Sequence, residues 1–147
     1  MKYNFPRFGE LEINDNEIIT FKDGLFGFEN LHNYGIIRGD EDNIFDYLQS
    51  VENLNVTFII TKPEYFKEDY ILNIPNQDLT DLKITDTKKI DDYAIVTIPE
   101  NIENMTANLQ GPIIINKVNK MAKQTITLNG SYQTKHKILE EFSKIKK

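Results

Sequence analysis

The chain has 147 residues and a formal net charge of −6, distributed unevenly: residues 1–134 carry 12 Lys and Arg against 21 Asp and Glu (net −9), whereas residues 135–147 carry 5 against 2 (net +3). A chain of this length fits one domain with one ordinary core, and an acidic body repels phosphate backbones, which argues against nucleic acid as a direct ligand and for a basic protein partner. The lack of cysteine removes disulfides, thiolate catalysis and Cys-based zinc sites, and fits a reducing compartment.

The first segment, "MKYNFPRFGE", has no apolar core of signal-peptide length, and no apolar run approaches the roughly 20 residues of a spanning helix. A soluble cytoplasmic protein is expected, in which the sequons at Asn55, Asn104 and Asn129 carry no meaning. "EIITF" (17–21) reads as a strand ending at the Asp23-Gly24 turn. "NVTFIIT" (55–61) alternates, with Val56, Phe58 and Ile60 on one side and Thr57, Ile59 and Thr61 on the other, and Pro63 ends it. "DYILNI" stops at Pro75, "YAIVTI" at Pro99 and "QTITLNG" at Asn129-Gly130, so each reads as a strand with a stop.

Two segments read as helical. "NQDLTDL" (76–82) suits a short turn capped by Asn76 or Asp78, and "KHKILEEFSKIKK" sets Ile138, Leu139, Phe142 and Ile145 in one apolar stripe. The expected fold is therefore mainly β, a small antiparallel barrel or sandwich with a short C-terminal helix and a basic amphipathic tail from residue 136 to 147. No repeat, low-complexity tract or linker divides residues 1–147, so a single domain is expected.

Catalytic groups with complementary roles are hard to assemble. His32 and His136 are the sole histidines and are expected at the surface or satisfying a backbone contact; Ser50, Ser131 and Ser143 lack a G-x-S-x-G elbow, and Gly24 and Gly27 have no G-K-[ST] after them. Asp40, Asp42 and Asp46 resemble calcium-loop ligands, but Phe45 and Val51 stand where an EF-hand needs Gly and Glu. No cofactor or metal is expected. In "MTANLQGPIIIN" (105–116), the Ile113–Ile115 run suits a strand covered on both faces with Pro112 at its start. Before it, Met105, Ala107 and Leu109 alternate with Thr106, Asn108 and Gln110, an uncharged polar row of the kind found in interfaces.

Five ordered blocks, "RFGELEI" (7–13), "IITFKDGLFGFENL" (18–31), "YLQSVENLNVTFII" (47–60), "AIVTIPENIENMTANLQGPIIIN" (94–116) and "KQTITLNGSYQTKH" (123–136), resemble the flagellar assembly factor FliW family in order and spacing. The resemblance implies a small β-barrel-like protein that is not an enzyme. It implies binding of newly made flagellin in the cytoplasm and, when flagellin is exported, binding and antagonism of the translational repressor CsrA. The turn "DGLFGFE" carries Phe26 where the family pattern has Pro, so this loop is expected to be less rigid and to present a large aromatic. The candidate partner-binding residues are Phe26, Glu29, Gln49, Glu52, Met105, Thr106, Asn108 and Gln110. The alternative is a small-ligand-binding or hydrolytic barrel using carboxylates between Asp40 and Glu52, such as an Asp46–Glu52 dyad.

Overall fold

The computed structural model describes residues 1–39 and 44–145. In chain order the strands are β1 (Lys2–Phe5), β2 (Gly9–Glu12), β3 (Ile19–Phe21), β4 (Asn33–Ile37), β5 (Phe45–Ser50), β6 (Thr57–Thr61), β7 (Ile90–Thr97), β8 (Thr106–Ala107), β9 (Ile113–Asn116), β10 (Met121–Gln124) and β11 (His136–Lys137). The helix α1 (Asn76–Asp81) lies between β6 and β7, and α2 (Ile138–Ile145) follows β11 directly.

Strands β3 to β7 form an antiparallel meander, β10 joins β3 in parallel, and β9 pairs with both β10 and β7. The β7–β9 ladder closes the sheet into a seven-stranded barrel, so of the two architectures left open by the sequence the barrel is the one formed. Ile19, Phe21, Leu25, Tyr34, Leu48, Ile60, Tyr93, Ile113, Ile115 and Ala122 fill its interior, with Phe58 and Ile95 packed against them. The β1–β2 hairpin stands outside the barrel. Ile13, which follows it, packs on Gly35 of β4 so closely that a Cβ there would come within 2.7 Å of Ile13 Cδ1.

The alternation read in "NVTFIIT", matched by that of β7, sorts residues into two cores rather than into core and solvent. Phe58 and Ile60 of β6 and Tyr93 and Ile95 of β7 face the barrel interior. Ile59, Ala94 and Val96 face a second cluster with Phe66, Ala107, Leu109, Tyr132 and Ile138. β9 is buried along its whole length, as the Ile113–Ile115 run leads one to expect. The outer cluster is roofed by the C-terminal strap: β11 pairs with β8 through His136–Ala107 and Lys137–Thr106, and α2 then lays Ile138 and Phe142 against Phe66.

Four expectations from the sequence change. "DYILNI" is not a ladder strand: Tyr70 turns aside to stack on Tyr132 at 5.4 Å, the Ile71 N–H donates to the Tyr132 hydroxyl, and Asn73 O accepts from Leu128 N at 2.8 Å. "QTITLNG" leaves the sheet after Gln124 because it next faces Pro112, which accepts the Thr125 N–H but has no N–H to return; the Thr127 and Leu128 N–H groups then go to Gln110 and Asn73. α1 begins at an N-cap Pro75 with no side-chain cap, and Asp78 is buried against Thr125 and Lys123 instead of capping. On α2, Ile138, Phe142 and Ile145 share the docked face, but Leu139 is 43% exposed and Glu141 is buried in its place. Residues three, four and seven apart share a helix face and adjacent ones do not.

Glu141 is buried because two cations and an imidazole donor surround it: Lys144 at 2.8 Å, Lys67 at 3.4 Å and His136 Nδ1 at 3.4 Å. His136 Nε2 accepts the Gln133 N–H at 2.8 Å, which leaves Nδ1 to carry the proton toward Glu141.

Two outcomes follow from the strap. Ile138→Ala removes a fully buried side chain and should cost about 2–5 kcal/mol in a denaturant melt. Acid should also weaken it. Burial pushes the His136 imidazolium below its ordinary 6.5, against the pull of the Glu141 carboxylate. Burial opposes the charge of Glu141, but hydrogen bonding to Lys144 and the charges of Lys67 and Lys144 prevail and hold it below 4.5. A histidine depressed on folding takes up protons more readily when unfolded, so its contribution is complete above about 6.5 and declines as pH falls toward the folded value; that of Glu141 declines lower still, through its own depressed value. The Tm of the wild-type protein should therefore drop relative to that of His136→Gln between about pH 7 and about pH 5. Parallel Tm profiles would contradict it.

Candidate functional site

The segment "GLFGFE" folds into a tight loop at one end of the barrel. Gly24 has φ +69, and a Cβ there would meet Glu29 Cα and Phe28 O at 2.6 Å, so a glycine is required on both counts. Phe28 N–H donates to Leu25 O at 2.7 Å and Gly27 has φ +86, the geometry of a type II turn with Phe26 in its second position. Leu25 plugs the barrel interior, while the Phe26 side chain is 55% exposed and that of Phe28 40%. Phe28 lies edge-on to Phe58 of β6 at 5.0 Å.

Phe58 leads from this loop to the uncharged row expected near residue 106. Ile59 pairs with Val96, so one residue further Phe58 lies across from Thr97, and Thr97 pairs with Thr106, which pairs with Lys137. Val96 and Ala107 face the outer cluster, so Thr97 and Thr106 face the opposite side, toward the Phe28 end. Beside the loop on its other flank, a groove of about 460 Å³ runs between it and α1. Phe26, Leu82, Met121 and Ala122 line it together with Asp23 and Lys123, whose charge is met by Asp78 at 2.6 Å and Asp81 at 3.0 Å.

The eight residues singled out from the sequence divide clearly. Phe26 and Thr106 reach this surface, and Gln110 is exposed on the turn that follows β8. Glu29 closes the loop by accepting the Gly27 N–H at 2.6 Å. Gln49 is fully buried, its amide donating to Ser50 O, Leu54 O and Val56 O and accepting from Thr57 Oγ1, so it holds the β5–β6 turn and presents nothing outward. Glu52 accepts the His32 and Asn33 N–H groups, and those hydrogen bonds hold its carboxyl below the usual range. Met105 is half-buried against the outer cluster rather than exposed. Asn108 accepts the Gly111 N–H at 2.8 Å and so shapes the turn.

The carboxylate alternative finds no assembled site. Asp46 accepts from Arg38 at 2.8 Å and from Gly39 N at 3.0 Å at the start of β5, whereas Glu52 lies past its end, bound to backbone. Asp40 and Asp42 lie outside the described residues. No group of three His, Asp or Glu among the described residues could hold a metal ion. His32 Nδ1 contacts Phe21 O at 3.0 Å and His136 accepts a backbone N–H, the backbone roles expected of both.

The family model described as "FliW protein" matches residues 2–138. The chain belongs to the FliW family. Its relatives include the flagellar assembly factor FliW of Thermoanaerobacter pseudethanolicus, 43% identical over 142 residues covering 96% of this chain and 95% of that one. That of Alkaliphilus metalliredigens is 44% identical over 139 residues, covering 94% and 86%. A crystal structure of the flagellar assembly factor FliW superposes with a TM-score of 0.86 at 31% identity, covering 94% of this chain and 96% of that one. No helix among the described residues is long and apolar enough to cross a membrane.

Phe28 and Thr97 on this surface, and the buried Gln124 behind it, are not marked by the sequence. Each sits inside a segment read as strand or turn, where nothing separates an outward-facing or bridging side chain from its neighbours. The loop chemistry can be checked directly. Gly24→Ala, strained in φ and without room for Cβ, should lose about 1–3 kcal/mol of stability, while Phe26→Ala, at an exposed position, should stay within about 0.5 kcal/mol. Urea melts of the two variants provide the comparison.

Proposed function

We propose that this protein is a cytoplasmic flagellar assembly factor without enzymatic activity, which binds flagellin and, when free of it, binds and antagonises the repressor CsrA, coupling flagellin synthesis to export. The observation that carries this reading is the exposed Phe26 and Phe28 pair beside the uncharged Thr97–Thr106 row, set on a filled barrel. Interface centres are poor in charge and rich in aromatics, and a few such residues dominate binding. Apolar side chains fill the barrel interior among the described residues, where a small-ligand barrel would keep a cavity, and the acidic body suits a basic partner such as an RNA-binding repressor.

Thr106→Arg places a long cation in the row and should weaken binding to flagellin or to CsrA by at least about tenfold with the Tm little changed. Titration calorimetry against each purified protein decides: normal affinity for both moves the binding surface elsewhere. CsrA affinity should also fall as salt rises, because exposed charges more than about 8 Å apart are screened at physiological ionic strength.

A further inference from the structure

The 24–29 loop, which carries Phe26 and Phe28 of the proposed binding surface, and the turn that follows Thr106 of β8 share no backbone ladder. One side chain joins them. Gln124, the last residue of β10, is buried; its Oε1 accepts the Phe26 N–H at 2.9 Å and its Nε2 donates to Gly111 O at 3.0 Å. Gly111 is in turn held by Asn108, whose Oδ1 accepts the Gly111 N–H. The packing leaves little slack, since a Cβ on Gly111 would lie 3.1 Å from Gln124 Nε2 and 3.3 Å from Asn108 Nδ2. The amide therefore bridges Phe26 to the Asn108–Gly111 turn by one acceptor and one donor, a pattern that neither a carboxylate nor an apolar side chain reproduces.

The position of the upper bond matters. Phe26 occupies the second position of a type II turn, where proline is favoured because its ring fixes φ in advance. Phenylalanine gives no such restraint, but it has the N–H that proline lacks, and Gln124 takes it.

We infer that Gln124 is a positioning residue: it substitutes a side-chain hydrogen bond for the missing ring restraint, and by its second bond fixes the Phe26 loop in register with the 108–111 turn so that the two present one surface. This rests, for its consequence in binding, on the partner surface proposed above; the positioning itself does not.

The positioning is tested on the free protein by hydrogen exchange at the Phe28 amide, which closes the turn. Gln124→Leu, of similar length and unable to form either bond, should speed that exchange by at least about tenfold relative to amides of the barrel core. Adding Phe26→Pro should restore the slow rate, because a ring at that position closes the turn without needing the amide. Global destabilisation would accelerate core amides equally and would not be rescued by a loop proline, and either result overturns the inference, as does unchanged Phe28 exchange in Gln124→Leu. Gln124→Glu adds a pH readout. Its ionised carboxylate keeps the acceptor and loses the donor, so Phe28 protection relative to wild type should recover as the pH is lowered and the carboxyl becomes neutral; a ratio flat in pH contradicts the two-bond bridge. Calorimetry with purified flagellin and CsrA then separates the two readings. Loosened turn exchange with at least about tenfold weaker binding supports both. Loosened exchange with normal binding, in a protein whose Thr106→Arg variant also binds normally, refutes the partner surface and leaves the positioning supported.

Discussion

Burial of β7 on both faces is the constraint on which the rest of the fold depends. Its alternate residues Tyr93 and Ile95 enter the barrel while Ala94 and Val96 enter the outer cluster, and along its edges it pairs with β6, β8 and β9. A strand with apolar side chains on both faces must be roofed on the outside as well as closed within. The barrel does the second and the C-terminal strap does the first. This explains why a helix of eight residues, too short to persist alone, is ordered here: Ile138 completes a cluster that would otherwise face water.

The same strand organises the surface we propose for partners. β8 and β9 lie end to end along one edge of β7, so the chain between them must bulge away from the ladder, and the Asn108–Gly111 turn is that bulge. At the β8 end the register carries Thr97 and Thr106 out beside Phe58 and the aromatic loop. Two cores thus leave a rim between them where uncharged and aromatic side chains remain accessible. Gln124 stands at the seam, with one end of its amide on each side.

Much of this was readable from the residues, for physical reasons that differ by segment. The Ile113–Ile115 run announced a strand covered on both faces because no polar residue interrupts it, and the spacing of Ile138, Phe142 and Ile145 announced a helix with an apolar stripe, in which Leu139 was wrongly included and whose docking partner the spacing does not name. "DYILNI" and "QTITLNG" misled because strand propensity describes side chains, while a ladder needs a partner that can return hydrogen bonds, and Pro112 cannot. Gln49 and Met105 misled in the other direction. An amide or a thioether suits a buried bridge as well as an interface, and only the register shows Gln49 turned in to its own hairpin and Met105 turned to the outer cluster. Phe26 was legible as an unusual aromatic in a turn; its tether to a residue 98 positions away was not.

We propose that partners meet the rim formed by Phe26, Phe28, Thr97 and Thr106. Backbone amide chemical-shift perturbation on the isotopically labelled protein, titrated with purified flagellin, tests it most directly. The largest shifts are expected at residues 25–29 and 97–108, with β1 and β2 unmoved. Shifts concentrated on the β1–β2 hairpin or around Arg38 and Asp46, with the rim silent, would contradict it.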